Sequence, residues 1–525
     1  MLQLADYIVG LSGGSWLTGS VAMNDFATTQ SLHDQLWNLD SNLIVPENDK
    51  LTFYISIVAD VAAKRGFTGS EYTGITDYWG RALSWHLINN TLYPEHGAKA
   101  TWSDIRSVSN FQSAAYPFPI VISDQRDPGT LMIRPDSPIW EFTPYEFGTW
   151  NTNISAFVDV DLMGSRFNNG LSNPNDNCTG GYDNAGWVMG CSSTLFNAGL
   201  TTILETSGES IIKSAIENVL SAIGRRYNDV ALVPNSFFGY RNDTNELAQS
   251  PNITLVDGGE DGQNVPLWPV LNPGREVDFV LAIDSSADET DWPNGTSLVA
   301  TSQRAQSPAF SQYAFPDIPS QNTFVNRGLN TRPTFFGCPG ANITNSATAT
   351  HESPLIAYLP SYPYAGLANV STFQLEYMNN QSQLVMDNAF AVATVGGASV
   401  VAGQNLTWPK CLACGMLMRS FQRSGTPFPA DCQTCYNTFC WDGKRDDSPP
   451  ANPFSPPVGA PEFISSKGTV QKTPAFTGGD GGSASDPNAA SSSSNSKNAA
   501  SAALEQGKLA WSVSLFVAFA LCILV

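Results

Sequence analysis

The segment from Leu4 to Trp16 constrains the fold more than any other part of the chain. Leu4-Ala-Asp-Tyr-Ile-Val9 reads as a short buried strand. It runs into Gly10-Leu11-Ser12-Gly13-Gly14-Ser15-Trp16, and the apolar stretch from Leu17 to Phe26 opens a helix. Strand, tight glycine turn and helix in that order form the context a G-x-S-x-G nucleophile requires. Glycine has no Cβ, so the backbone can turn sharply and lift the Ser12 hydroxyl into a cleft. The turn also aims backbone N–H groups, starting with Gly13, at a substrate oxygen. The helix N-terminus then favours the negative charge that develops there. Glycine turns of this kind also bind phosphate or only bend the chain, so the serine needs a partner before it means chemistry.

Four histidines are available as a base: His33, His86, His96 and His351. An α/β-hydrolase places its histidine last in chain order, which leaves His351 as a triad candidate, although Thr350-His351-Glu352 has no distinctive flank. Asp257 is the better partner. Asn252-Ile-Thr-Leu-Val256 is a β-branched run that reads as a buried strand, and it delivers Asp257-Gly258-Gly259-Glu260-Asp261-Gly262 at its end. A carboxylate in a dry cleft has its pKa raised, so it can accept a proton near neutral pH. The alternatives are a plain turn aspartate, or a calcium loop using Asp257, Glu260 and Asp261 without the full EF-hand pattern.

Charged residues make up only 14% of the chain, against roughly 25% in an average globular protein. Acidic residues outnumber basic ones 47 to 26, for a net charge of −21. That balance excludes the basic footprint of nucleic-acid binding and opposes electrostatic docking on anionic lipid. Ten N-x-[ST] sequons, at Asn89, Asn153, Asn177, Asn242, Asn252, Asn294, Asn342, Asn369, Asn380 and Asn405, point to the secretory route. Of nine cysteines, Cys522 lies in the apolar tail and eight remain for the body. Disulfides are expected for all eight, with Cys178–Cys191 as a local pair and the cluster from Cys411 to Cys440 knotted with Cys338. The rival is a four-cysteine zinc site at Cys411, Cys414, Cys432 and Cys435.

The C-terminal residues Leu509 to Val525 are apolar and carry no charge. A polar spacer precedes them, with small residues at Asn498-Ala-Ala-Ser501 ahead of it, which together form a GPI-attachment pattern with Asn498 as the attachment residue. A plain tail anchor is the alternative. Residues from about 446 to 508 are Pro-, Gly- and Ser-rich and read as a disordered stalk. The expected division is a body over 1–445, a stalk over 446–508 and a tail over 509–525. Met1 leads into residues too few and too polar for a signal peptide, so the natural beginning is expected to lie upstream.

Three motifs in order carry a resemblance: Gly10-Leu-Ser-Gly-Gly-Ser-Trp16, Trp140-Glu-Phe-Thr-Pro-Tyr-Glu-Phe-Gly148 and Asp257-Gly-Gly-Glu-Asp-Gly-Gln-Asn-Val-Pro-Leu-Trp-Pro269. They resemble the fungal phospholipase B (lysophospholipase) family, whose catalytic domain is shared with the mammalian cytosolic phospholipase A group. The resemblance spans Met1 to about Asp442, together with the stalk and tail. It implies a Ser–Asp dyad, with Ser12 as nucleophile and Asp257 as base, an acyl-serine intermediate, and no metal or cofactor. It implies phospholipid and lysophospholipid substrates, a membrane reached through a GPI anchor, and no protein partner. The family also carries a Gly-Gly-Gly-x-Arg segment upstream of its serine. That segment has no counterpart ahead of Ser12, so oxyanion donors other than Gly13 are expected upstream.

The expected fold is therefore α/β: a three-layer domain with a mixed central sheet, like that of the patatin and cytosolic-phospholipase folds. Ser12 and Asp257 are expected at strand carboxyl ends on one side. A helix is expected from Glu209 to Arg225, where Ile211, Ile212, Ala215, Ile216, Val219, Leu220 and Ile223 form an apolar stripe. Two other functions fit the residues: a GPI-anchored surface protein that keeps the fold without turnover, and a transacylase.

Overall fold

The computed structural model of the protein describes residues 2–43, 50–68, 72–130, 132–172, 178–195, 229–308, 310, 312–338, 352–372, 374, 376–465 and 468–470. The helix expected from Glu209 to Arg225, His351, the sequons at Asn177 and Asn342, Asn498 and the apolar tail lie outside the described residues. The chain forms two compact units, one from Met1–Asp261 with Leu375–Tyr377, the other from Gly262–Gln374 with the described part of Met378–Ala503. The expected body over 1–445 takes in residues of both units. The division arises because each unit has its own sheet and its own buried cluster.

The first unit is built on a seven-stranded mixed sheet. Its strands are β1 (Tyr7–Gly10), β2 (Phe118–Gln125), β3 (Ile139–Phe142), β4 (Glu146–Thr149), β5 (Ala156–Asp159), β8 (Ala231–Pro234) and β9 (Asn252–Val256), while β6 (Phe167–Asn168) and β7 (Leu171–Ser172) pair apart as a small hairpin. The sheet runs β5-β4-β3-β2-β9-β8, with β1 added to β2. β1 lies parallel to β2, and the other neighbours are antiparallel, so the sheet is mixed as expected. The first strand is shorter than the sequence suggested. Leu2–Leu4 is a 3-10 turn with Leu4 exposed, and Tyr7 to Val9 are only half-buried because β1 is covered by the sheet on one edge alone. By contrast β9 spans the expected residues without change.

Large apolar side chains fill the core of this unit. Trp102, Trp140, Phe142 and Phe147 are fully buried in one cluster, each contributing about 1.5–3 kcal/mol by leaving water. Helix α1 (Gly13–Met23) starts directly after Ser12, ahead of the expected Leu17. Its Gly-Gly start has poor helix propensity, which burial of Thr18 to Met23 offsets. Behind it, the helix Ile75–Leu87 packs on the helix Ala185–Cys191 at backbone contact. A Cβ on Gly80 would sit 2.6 Å from the Gly186 carbonyl oxygen, so only glycine permits this approach.

The second unit holds a three-stranded sheet in the order β10 (Phe279–Asp284), β12 (Leu355–Pro360), β11 (Thr334–Phe336), with β10 parallel and β11 antiparallel to β12. Two helices, Trp408–Ser424 and Ala430–Phe439, carry the cysteine cluster. Cysteines three apart share one helix face, so two antiparallel helices can close two bridges at once. The pairs are Cys411–Cys435 and Cys414–Cys432, and Cys338–Cys440 ties the cluster to the sheet as expected. These bridges occupy the four cysteines weighed as a zinc site. The expected Cys178–Cys191 pair does not form. Cys178 is exposed, while Cys191 is buried at the end of its helix with Ser123 Oγ donating to its sulfur at 3.6 Å.

The Pro-rich region also departs from expectation. Phe454 is fully buried with Trp292 and Val325, and Phe463 and Val470 are buried in the cluster around Trp408. Apolar anchors inside the Pro-rich sequence thus carry the second unit past residue 446. Among the sequon residues, Asn153, Asn242, Asn380 and Asn405 are exposed, whereas Asn252 opens β9 with its Oδ1 buried.

Candidate active site

Two strands end head to head on β2. The register pairs Gly10, the last residue of β1, with Val121, and Val256, the last residue of β9, with Asp124. The other edge of β2 is taken by β3, so β1 and β9 share one edge and approach from opposite directions. Their ends are offset by three positions along β2, with Ile122 and Ser123 between them, about 10 Å of strand. Ser12 follows one end and Asp257 the other. The two residues were expected at carboxyl ends on one side of a sheet. They do sit at carboxyl ends, but the strands run against each other and the site forms where they meet.

The turn after β1 is tight. A Cβ on Gly10 would fall 2.4 Å from the Gly14 carbonyl oxygen, so only glycine lets α1 fold back on the strand. Ser12 has φ 49° and ψ −127°, a conformation that L side chains rarely adopt and that costs about 1–3 kcal/mol. Its side chain makes no capping bond, and the Ser15 hydroxyl donates to the Ser12 carbonyl at 2.6 Å instead. The Ser12 Oγ is therefore not spent on its own helix. Gly13 and Gly14 are exposed, and a Cβ on either would meet nothing within 4 Å, which leaves room above the turn. Their N–H groups lie in the first turn of α1, where donors have no intrahelical acceptor.

Asp257 is 2% exposed. Its Oδ1 accepts the Gly259 N–H at 2.7 Å, and its Oδ2 is buried without a hydrogen-bond partner. Burial pushes its pKa up to about 6, opposed first by the Ser12 side chain and then by the Gly259 N–H, while the Asp261 charge adds to the rise. The Ser12 side chain thus lies close enough to favour the ionised form of Asp257, although no hydrogen bond of full geometry closes between the two. Gly258 explains how the acid turn comes so near. A Cβ there would lie 2.9 Å from the Ile122 carbonyl oxygen and 3.0 Å from Leu11 Cβ.

Behind Asp257 lies a buried charge cluster. Arg126, the residue after β2, forms ion pairs with Glu260 at 2.8 Å and Asp229 at 2.9 Å. Burial raises the Glu260 pKa to about 7 even though the Arg126 charge pulls it down. Glu260 is thereby turned to an arginine rather than joining Asp257 and Asp261 around a cation, and the described residues hold no cluster of three metal-ligating side chains.

Sequence reasoning missed the segment Ser192-Ser193-Thr194, which follows the helix Ala185–Cys191. The Ser192 carbonyl accepts the N–H groups of Ser12 at 3.0 Å and Gly258 at 3.2 Å, and the Thr194 carbonyl accepts that of Asp257 at 3.1 Å. Ser193 Oγ accepts the indole N–H groups of both Trp16 and Trp79 at 2.9 Å. The only signal in the sequence is a run of small polar residues after an apolar helix. The described histidines are engaged elsewhere: His33 beside Asp34, His86 buried near Phe53, and His96 stacked on Trp85. The motif from Trp140 to Gly148 forms the β3–β4 hairpin and serves packing, with Trp140 donating to Gln125 at 3.1 Å.

A family model described as lysophospholipase catalytic domain matches residues 1–446. Lysophospholipase 2 of Aspergillus fumigatus is 43% identical over 463 residues, covering 86% of this chain and 76% of that protein. Probable lysophospholipase 3 of Schizosaccharomyces pombe is 38% identical over 497 residues, covering 90% and 72%. Among solved structures, human GIVD cytosolic phospholipase A2 superposes with a TM-score of 0.53 at 17% identity, over 74% of this chain. The match spans 56% of that chain's length and is a likeness of fold, in line with the expected architecture.

Proposed function

The chain belongs to the lysophospholipase catalytic-domain family, and from that membership we propose that it is a phospholipid acyl-ester hydrolase acting through Ser12 and Asp257. The relatives are named lysophospholipases, which supports lysophospholipids as the substrate class, and the reading extends to diacyl phospholipids. Asp257 Oδ2 takes the proton of Ser12 Oγ as that oxygen attacks the acyl carbonyl carbon. The carbonyl becomes an oxyanion facing the Gly13 N–H at the positive end of α1. Collapse of this intermediate breaks the bond to the glycerol oxygen, which leaves with the proton from Asp257. A glycerophosphodiester departs from a lysophospholipid, and the acyl chain stays on Ser12. Water then gives a proton to Asp257 and attacks the acyl-serine. Ser12 Oγ leaves, recovers the proton, and the fatty acid is released.

The observation that carries this reading is the Asp257 carboxylate, buried beside Ser12 with one oxygen unpartnered and its pKa held at about 6. A base so placed is ionised near neutral pH yet still able to take a proton. The test is fatty-acid release from lysophosphatidylcholine by Asp257→Asn and His351→Ala variants. Loss in the first and retention in the second is expected. The reverse pattern restores a histidine triad.

The three bridges form in an oxidising compartment, which supports the secretory route and, with the C-terminal pattern, a GPI-anchored place at the cell surface. Release of the protein from membranes by a phosphatidylinositol-specific phospholipase C tests this, and retention after treatment contradicts it.

A further inference from the structure

Ser192 is fully buried, with hydrogen bonds to the Ser12 turn, the acid turn and β2. Its hydroxyl donates to the Ile122 carbonyl at 2.6 Å, on the stretch of β2 between the two strand ends. With its proton committed there, the same Oγ accepts the Ser12 N–H at 3.1 Å. The Ser192 carbonyl accepts that N–H too, at 3.0 Å, and also the Gly258 N–H at 3.2 Å. One residue therefore anchors the strained nucleophile turn and the acid turn to the central strand. We propose that Ser192 is a positioning residue that sets the spacing between Ser12 and Asp257 through its hydroxyl and its carbonyl. Because its N–H is held by Ser192, Ser12 does not offer that donor to an oxyanion, which leaves the task to the N–H groups of the glycines that follow.

This inference rests on the Ser12–Asp257 reading, and the experiment separates the two. Ser192→Ala removes the Oγ and keeps the carbonyl bridge. The expected result is a fall of about ten- to hundredfold in kcat for lysophosphatidylcholine, the scale of a misplacement near 1 Å, with KM changed less than about twofold because substrate binding is untouched. The rate at which a fluorophosphonate labels Ser12 should fall in parallel. Ser192→Thr, which keeps an Oγ, should restore most of the rate. If Ser192→Ala does not fold, the near-isosteric Ser192→Cys replaces it and should show an intermediate loss. Unchanged kcat in folded Ser192→Ala or Ser192→Cys overturns the inference, as does an equal loss in the alanine and threonine variants. Wild-type protein that neither turns over nor labels at Ser12 contradicts the dyad itself.

Discussion

Arg126 Nε lies 2.8 Å from Glu260 Oε2, and both side chains are buried. Glu260 follows Asp257 by three positions, so this ion pair fixes the far end of the acid turn. Arg126→Met leaves a buried carboxylate without its partner, which typically costs about 3–5 kcal/mol. Burial holds the Glu260 pKa at about 7 even with Arg126 beside it, so the cost is expected to be larger at pH 8 than at pH 5.5, where Glu260 takes a proton in either protein. Urea unfolding at the two pH values measures it. Arg126→Met combined with Glu260→Gln should recover part of the loss, and equal losses at both pH values would show that the pair is not the cause.

Activity and stability should respond to pH in opposite directions. Asp257 must be ionised to accept the Ser12 proton, so kcat/KM is expected to rise with pH through about 6. Stability runs the other way. Asp257, Glu260 and Asp288, the last a residue of the second unit whose Oδ2 accepts the Asn294 N–H, are held at about 6, 7 and 7 in the fold, above ordinary carboxyl values of about 4. The folded state therefore binds protons more tightly than the unfolded state. The stability this confers is complete below the unfolded values and is lost as pH rises through the folded ones. Melting temperature should fall between pH 5 and 8 while kcat/KM climbs. A melting temperature that rises over this range contradicts the burial of these carboxyls.

The cysteine arrangement gives a mapping experiment. Non-reducing peptide mapping should find Cys338–Cys440, Cys411–Cys435 and Cys414–Cys432. Cys178 should be alkylated in the native protein, and Cys191 only after unfolding, since it is buried. Each helix bridge closes a loop of 18 or 24 residues and contributes about 3 kcal/mol, so reduction should unfold the second unit first. A Cys178–Cys191 peptide would contradict the structure.

Much of the site was legible where the signal is local. The β-branched run Asn252–Val256 and its Asp-Gly stop define β9 because strand propensity and turn chemistry agree over a few residues. Gly10 and Gly258 announce close backbone approaches, and both are required by contacts under 3 Å. What stayed hidden is long-range. Nothing in β1 or β9 states that both dock on one edge of β2 from opposite directions, since that register depends on residues more than a hundred positions away. Ser192 is placed to act through its hydroxyl and through a backbone carbonyl that every residue carries, and one serine after an apolar helix gives little warning of the role. Phe454 and Phe463 were masked by the prolines around them, although two buried aromatic rings are enough to tie that segment down.

The central claim is a covalent intermediate on Ser12 formed with Asp257 as base. Wild-type protein mixed with lysophosphatidylcholine, quenched in acid and digested, should carry the acyl group on the peptide containing Ser12, as read by mass spectrometry. Asp257→Asn should form the same adduct about 10² to 10⁴ times more slowly, and Ser12→Ala should form none. Turnover that persists in Ser12→Ala, or an acyl group found on any other residue, would contradict the account.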